Sequence, residues 1–152
     1  MVRYRRNFIA GGAYSFTVTL ADRRSRALTD NIDALRIAIR KTRRTHPFSI
    51  DAIVVLPDHL HTIWTLLPED ADFQHRWSLI KRRFTDGMLK AGGQVARHRN
   101  GECALWQRRY WEQTIEMTRV LRGTSITSTL IRLNMALSRA HATGRIHRFI
   151  VM

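Results

Sequence analysis

The stretch FSIDAIVVLPDHLHTIW, residues 48–64, decides the expected fold. Its first part is rich in β-branched residues, which favour strands, and Pro57-Asp58 is typical of a tight turn. Apolar residues resume directly after the turn. The pattern therefore predicts two antiparallel strands, Phe48 to Leu56 and His59 to Leu67, joined as a hairpin.

Strand and helix patterns flank this hairpin on both sides. The remaining predicted elements are a strand from Tyr14 to Leu20, a helix capped by Thr29 or Asp30 and running to about Thr45, a helix from Asp72 to about Leu89, and a strand from Leu105 to Ile115. The order strand, helix, strand, strand, helix, strand predicts an α+β, ferredoxin-like split βαβ sandwich, with an antiparallel sheet and helices on one face.

The charge of the chain points to its partner class. The sequence contains 26 Lys and Arg residues but only 12 Asp and Glu residues, which gives a net charge of +14. Most of the cations are arginines, whose planar guanidinium suits phosphate, so we expect a polyanion partner and nucleic acid first. The hydrophobic fraction of 44% argues against wholesale disorder. A length of 152 residues fits one domain.

Cysteine usage and hydropathy predict the compartment. A single cysteine, Cys103, excludes an internal disulfide and fits a reducing cytosol. The sequence has no apolar run long enough to span a bilayer. We therefore expect a cytoplasmic protein with no membrane partner.

His59 and His61 are the candidate metal ligands. Residues i and i+2 of a strand point to the same face, so the two imidazoles can bind one divalent cation. The alternative is a pair of buried histidines that only form hydrogen bonds. A metallo-hydrolase of the H-x-H-x-D-H type would need an Asp and a His just downstream, where Ile63, Trp64 and Thr65 stand instead. A two-histidine phosphodiesterase would need a second His-x-Ser/Thr motif, which the sequence lacks.

The candidate DNA-binding residues are cations grouped in three clusters. They are Arg36, Arg40, Arg43 and Arg44 on the first helix, Lys81, Arg82 and Arg83 on the second helix, and Arg108 and Arg109 on the last predicted strand. Arg108 and Arg109 are expected to alternate across that strand, so only one of them faces any given partner. Trp106 and Trp111 can stack on unpaired bases, with core packing as the alternative role. Trp77, at helical spacing from other apolar residues, is expected in the core.

Three blocks carry a family resemblance. GGAYSFTVTL (11–20), HPFSIDAIVVLPDHLHTIW (46–64) and WQRRYWEQTI (106–115) resemble the REP-associated tyrosine transposases, which are HUH-type single-strand DNA transposases. The resemblance runs from residue 3 to about residue 115. It implies that His59 and His61 bind Mg²⁺ or Mn²⁺, which polarises a phosphodiester in single-stranded DNA.

The same resemblance implies a nucleophile and a substrate. In the family, a tyrosine on a C-terminal helix attacks the phosphodiester and leaves a 5′-phosphotyrosine and a free 3′-hydroxyl. An asparagine one helical turn later completes the metal shell. The substrates would be repetitive extragenic palindromes (REP) folded as hairpins.

The chain departs from the family after residue 116. Its three tyrosines, Tyr4, Tyr14 and Tyr110, do not match the family nucleophile, and residues 117–152 contain no Asp, Glu, Lys or Pro. The codons of this segment can be chosen among their synonyms so that a reading frame starting at the third base of each codon encodes VDYIHFNPVKHG. This sequence resembles the family's tyrosine segment. We therefore predict a frameshift near codons 115 and 116.

The frameshift defines the expected organisation. Residues 1–116 would form the transposase-like domain, and residues 117–152 an out-of-frame tail in place of the tyrosine helix. The tyrosine codon would straddle Ile126 and Thr127, and the asparagine codon Leu130 and Ile131.

Without these two residues we expect weak metal binding and no cleavage, because no covalent intermediate can form. The alternatives are a non-catalytic protein that binds hairpin or single-stranded DNA, and a basic nucleic-acid-binding module without a metal. A monomer is favoured over a dimer.

Overall fold

The computed structural model describes residues 8–115. Its elements are β1 (Ala13–Thr19), α1 (Ala27–Asp30), α2 (Ile32–Thr45), β2 (Ser49–Val55), β3 (His59–Thr65), α3 (Phe73–Lys90) and β4 (Trp111–Ile115). The four strands form one sheet in the order β2-β3-β1-β4, and every neighbouring pair is antiparallel. The ferredoxin-like α+β sandwich is confirmed.

The predicted hairpin forms the β2–β3 pair. Val55 pairs with Leu60, and the Leu56 N–H donates to the carbonyl of His59 at 2.8 Å, which closes the turn. The register shifts between Ile50 and Ala52, which is typical of a β-bulge. The strands are shorter than predicted at both outer ends because pairing stops at Ser49 and Thr65.

The core lies on one side of the sheet, which we call the helix face. Alternate residues of β1, including Phe16, are fully buried there. The Phe16 ring lies 5.5 Å from Trp77 and 5.3 Å from Phe73, both on α3. Trp77 is therefore a core residue, as predicted. Burial of these aromatic side chains against α3 fixes the helices on this face.

The start of the first helix differs from the prediction. A short helix, α1, precedes α2, and Asn31 separates the two. Neither predicted cap is used: the hydroxyl of Thr29 donates backward to the carbonyl of Arg26, and Asp30 lies inside α1. Asn31 also donates backward, to the carbonyl of Ala27 at 2.9 Å, so its side chain does not cap α2. Local side-chain-to-backbone bonds therefore displaced the helix start.

The second predicted helix boundary is accurate. Asp72 caps α3, because its carboxylate accepts a hydrogen bond from the His75 N–H at 3.0 Å. Such a bond satisfies one of the amide groups that a helix N-terminus leaves unpaired.

The fourth strand was predicted too long. It begins at Trp111, and the preceding residues form a loop against α3. There the Lys81 ammonium donates to the carbonyl of Gln107 at 2.9 Å, and the Trp106 indole N–H donates to the carbonyl of Lys81 at 3.2 Å. The expected alternation of Arg108 and Arg109 across a strand was therefore wrong, because these residues precede β4.

The predicted tail falls beyond this description. Residues 117–152, with the codons predicted for the tyrosine (Ile126 and Thr127) and the asparagine (Leu130 and Ile131), lie outside the described residues. Within residues 8–115, no helix has the length and apolar character needed to cross a membrane.

Candidate metal site and nucleic-acid interface

The two histidines lie on the side of the sheet opposite α2 and α3. Along β3, Leu60 and Trp64 are buried in the core, so His59 and His61 project from the other side. We call this side the histidine face. The sequence prediction that the two imidazoles share one face is confirmed by this alternation.

His61 is held by the neighbouring strand. It pairs with Thr17 of β1, and the Thr17 hydroxyl lies 2.8 Å from Nδ1 of the imidazole. Burial lowers the pKa of His61 to about 4, and the positive charge of a protonated His59 contributes to the shift. His61 is therefore neutral at pH 7, which leaves one ring nitrogen with a free lone pair.

His59 is held by the residue before it. Its Nδ1 lies 2.7 Å from a carboxylate oxygen of Asp58, while the other oxygen of that carboxylate pairs with Nε of Arg23 at 2.6 Å. A carboxylate only accepts, so Nδ1 of His59 carries the proton and donates it. Asp58 is also fixed at its backbone, because its carbonyl accepts from the Leu20 N–H at 2.8 Å.

The two imidazole rings are close neighbours on the histidine face. Their centroids lie 5.0 Å apart at an angle of 86°. When Nδ1 of His61 donates to the Thr17 hydroxyl, as Nδ1 of His59 donates to Asp58, both Nε2 atoms carry the lone pairs that a shared cation needs. Partners of this kind orient metal-bound histidines and select their tautomer. Within the described residues, no group of three His, Cys, Asp or Glu side chains is placed to hold a metal ion.

Sequence reasoning missed the two partners of the histidines. Asp58 was interpreted only as a turn residue, although its position directly before His59 was a usable signal. Thr17 was placed on a strand, but nothing in the sequence gives the β1–β3 register that brings it to His61. A cross-strand contact depends on that register.

The four arginines predicted on the first helix form one surface, on the other side of the molecule. Together with Ile39, Pro47 and Phe48, they line a shallow cavity of about 390 Å³. We call this the α2 arginine surface (Arg36, Arg40, Arg43 and Arg44). Arg40 and Arg44 are exposed, whereas Arg36 pairs with Asp33 at 3.0 Å.

The cations predicted on the second helix are divided between surface and interior roles. Lys81 lies over the Tyr110 ring at 5.2 Å, and Arg83 donates to the Thr42 hydroxyl at 2.8 Å, which links α3 to α2. Arg82 is exposed. The structure therefore uses Lys81 and Arg83 for internal contacts, and the DNA-binding role of the cluster stays a prediction.

The third predicted cluster lies beside β4. Arg108 and Arg109 are both exposed, and Arg108 makes one exposed ion pair with Glu102 at 3.8 Å. The structure therefore does not bring the predicted DNA-binding residues into one patch. The first group lies on α2 beyond the helix face, whereas the third lies at the edge of the sheet next to β4.

Comparison with known proteins gives consistent matches. The chain is 45% identical over 119 residues to a REP-associated tyrosine transposase of Escherichia coli K12, an alignment that covers 78% of this chain and 65% of that protein. It is 39% identical over 117 residues to a Haemophilus influenzae protein provisionally given the same description, covering 76% and 66%. The chain thus spans slightly less than two thirds of the length of these curated relatives. No protein-family model matches the chain.

Solved structures agree with the sequence matches. A REP-associated tyrosine transposase bound to a REP hairpin superimposes with a TM-score of 0.68 at 38% identity, covering 93% of this chain and 74% of that one. A Deinococcus radiodurans protein, provisionally described as a transposase, shares the fold with a TM-score of 0.54 at 17% identity, covering 90% and 97%. From the identities and the coverage, the chain belongs to the family of REP-associated tyrosine transposases.

Proposed function

We propose that this protein binds hairpin or single-stranded DNA of the REP type and holds a divalent cation at His59 and His61, but does not cleave the DNA. The alternative within the same family is an active, metal-dependent nickase. The observation that carries the proposal is the histidine pair, whose Nδ1 atoms are held by Thr17 and Asp58.

The donor set suits a divalent cation of the kind the family resemblance implies, Mg²⁺ or Mn²⁺. Imidazole nitrogens bind transition metals well, which makes Mn²⁺ the better probe of the two. When bound, such an ion supplies Lewis-acid polarisation of a phosphodiester oxygen. His59 and His61 would hold it, while Asp58 and Thr17 orient the rings. The low pKa of His61 keeps its ring free of a competing proton at neutral pH.

The positions of Tyr14 and Tyr110 support the proposal that the protein does not cleave DNA, because neither can act as the nucleophile. Tyr14 is fully buried on the helix face, and its hydroxyl donates to the carbonyl of Ile9 at 2.8 Å. The Tyr110 ring lies 6.1 Å from Phe16 and 5.9 Å from Trp77, on the same core side. Both rings are thus separated from the histidine face by the sheet. An attacking phenol must reach the phosphorus on the metal side.

The α2 arginine surface supports DNA binding. Two of its exposed members, Arg40 and Arg44, lie one helical turn apart, so both can contact successive phosphates of one strand or stem. Guanidinium groups bind phosphate oxygens in a bidentate manner, which a lysine cannot do. Phosphate contacts of this kind set affinity rather than sequence preference.

The DNA-binding test compares two double variants. Arg40→Gln with Arg44→Gln should weaken binding to a labelled REP-type hairpin roughly 10-fold near 0.1 M salt and reduce the log–log salt slope by about 1.5. Fluorescence anisotropy over a salt series measures both quantities. Arg24→Gln with Arg26→Gln is the matched control, because these exposed arginines already pair with Asp22 and Asp30. Equal effects of the two double variants would contradict a phosphate site on α2.

The metal test uses Mn²⁺ alone. Electron paramagnetic resonance should detect bound Mn²⁺ in the parent protein and lose that signal in His59→Ala and in His61→Ala. His98→Ala, at an exposed histidine in the loop before β4, should bind as the parent does. Binding that survives both substitutions would favour the basic nucleic-acid-binding module without a metal site.

A further inference from the structure

We propose that Trp111 is a stacking site for one unpaired nucleobase of the strand that passes the histidine pair. The inference rests on the proposed DNA binding and adds to it a residue that contacts a base. The exposed arginines proposed above would contact the phosphate backbone, and the two histidines of β3 would bind a metal ion.

The sheet register places Trp111 beside the candidate metal site. Thr17 of β1 pairs with His61 on one side and with Trp111 on the other. Residues directly opposite one another on neighbouring strands project from the same face. The hydrogen bond between Thr17 and His61 shows that this is the histidine face. Trp111, Thr17 and His61 therefore form one row across the sheet.

The exposure of Trp111 separates it from the other tryptophans. Its exposed fraction is 71%, against 1% for Trp64 and 2% for Trp77. Trp106 is half-buried against Phe84 of α3, and its indole N–H donates to the backbone carbonyl of Lys81. The next residue of the strand, Glu112, is buried on the opposite face. An indole ring as exposed as that of Trp111 presents a large π surface to a ligand.

The surroundings of Trp111 favour a nucleic-acid strand as the occupant. Exposed Arg108 and Arg109 precede it in sequence, and the exposed polar residue Gln113 follows it on the same face. Sequence-tolerant binding of single strands combines aromatic rings that stack bases with cations that track phosphates. A single ring among polar neighbours is too small for the apolar centre of a protein–protein interface.

The distance between Trp111 and His61 fits one strand that contacts both. Neighbouring strands lie about 4.8 Å apart, so two steps separate the Cα atoms by about 10 Å. Stacked nucleotides advance about 3.4 Å each, so at most about three nucleotides span this distance. A base on Trp111 would thereby position the phosphate that lies at the histidine pair.

The experiment separates the base from the backbone. The probes are a labelled twelve-nucleotide oligothymidylate and a strand of the same length in which every base is absent, so that the phosphates are matched. We expect the parent to bind the thymidylate roughly 5- to 100-fold more tightly than the abasic strand. Trp111→Ala should bind the two strands equally, and Trp111→Phe should restore most of the difference because it keeps an aromatic ring.

Four outcomes would overturn the inference. If Trp111→Ala lost affinity equally for both strands, Trp111 would have a structural role instead. A lowered unfolding temperature of the variant would confirm that role. A base preference that survives Trp111→Ala would place stacking elsewhere. A change in sedimenting mass of Trp111→Ala without loss of base preference would identify a protein interface. Failure of the parent to bind either strand would instead refute the proposed DNA binding itself, and this inference with it.

Discussion

At the scale of single residues, the candidate metal site depends on hydrogen bonds to the back of each histidine. Asp58 fixes the tautomer of His59, and Thr17 fixes the ring orientation of His61. Removing a partner of this kind typically lowers metal affinity 10- to 100-fold, although the ligand itself is unchanged. The site can therefore be weakened without touching a histidine.

Thr17→Val tests this dependence. The substitution keeps the shape and the β propensity of the residue but removes the hydroxyl bonded to His61, so we expect a loss of Mn²⁺ affinity of roughly 10-fold. Titration calorimetry measures the affinity, and the ¹⁵N shifts of His61 report its tautomer. Thr19→Val is the matched control. Thr19 lies on β1 like Thr17 and pairs with His59 of β3, but no hydrogen bond joins its side chain to either imidazole. Equal affinities of the two variants would contradict the role of Thr17.

Residue-scale prediction from the sequence succeeded for the histidines and failed for their partners. The spacing of His59 and His61 within a strand is local information, so their common face followed from the alternation alone. The contact of Thr17 with His61 spans 44 residues and depends on a register that the sequence leaves open. For the same reason the sequence could suggest Trp111 as a base-stacking residue but not its row with His61.

At the scale of elements, a buried arginine joins the two ends of the helical layer. Arg76 of α3 is only 3% exposed, and it donates to the carbonyls of His46, Pro47 and Asp72. Its charge is matched by a bidentate pair with Asp70, whose pKa the Arg76 guanidinium lowers. The connection between α2 and β2 is therefore fastened to the start of α3.

Asp70→Asn should destabilise the fold by about 2–3 kcal/mol, because it leaves the buried guanidinium without its counter-charge. The difference from the parent should shrink in acid. The lowered pKa of Asp70 means that the pair stabilises the fold above the ordinary value of 3.8 and stops doing so as the pH falls through the lower, folded value. Urea unfolding at pH 7 and near pH 3 measures both effects.

The control for that experiment is Asp22→Asn. Hydrogen bonding from the Arg24 backbone lowers the pKa of Asp22 too, but Asp22 lies in an exposed turn. Its substitution should leave the free energy of unfolding close to that of the parent. An Asp70→Asn variant as stable as Asp22→Asn at pH 7 would show that the Arg76 network does not hold the helical layer.

The order of elements was predictable, whereas their ends were not. Long periodic segments such as α3 are specified by their own apolar spacing and by a cap, Asp72, that is visible in the sequence. The start of α2 and the start of β4 were misplaced, because Asn31 and Lys81 form hydrogen bonds that compete with the regular structure.

At the scale of the whole molecule, the sheet separates the candidate metal site from the α2 arginine surface. The histidine face carries the candidate metal site and Trp111, while the α2 arginine surface lies beyond the helix face. One short single strand cannot contact both at once. A folded hairpin with a flanking strand is large enough to do so.

If the two surfaces act as proposed, this separation would allow the chain to bind DNA without cleaving it. We expect the protein as given to form no covalent adduct with a labelled hairpin oligonucleotide in Mn²⁺, as measured by denaturing electrophoresis, because Tyr14 and Tyr110 lie on the core side. A variant in which residues 116–152 are replaced by the shifted-frame sequence containing VDYIHFNPVKHG should form the adduct. It should lose the adduct again when that tyrosine becomes phenylalanine or when His61→Ala is added. The protein and the restored variant share residues 1–115, so any difference between them lies in the replaced segment, and the change of its tyrosine to phenylalanine isolates the nucleophile. An adduct formed by the chain as given would refute the frameshift as the cause of inactivity.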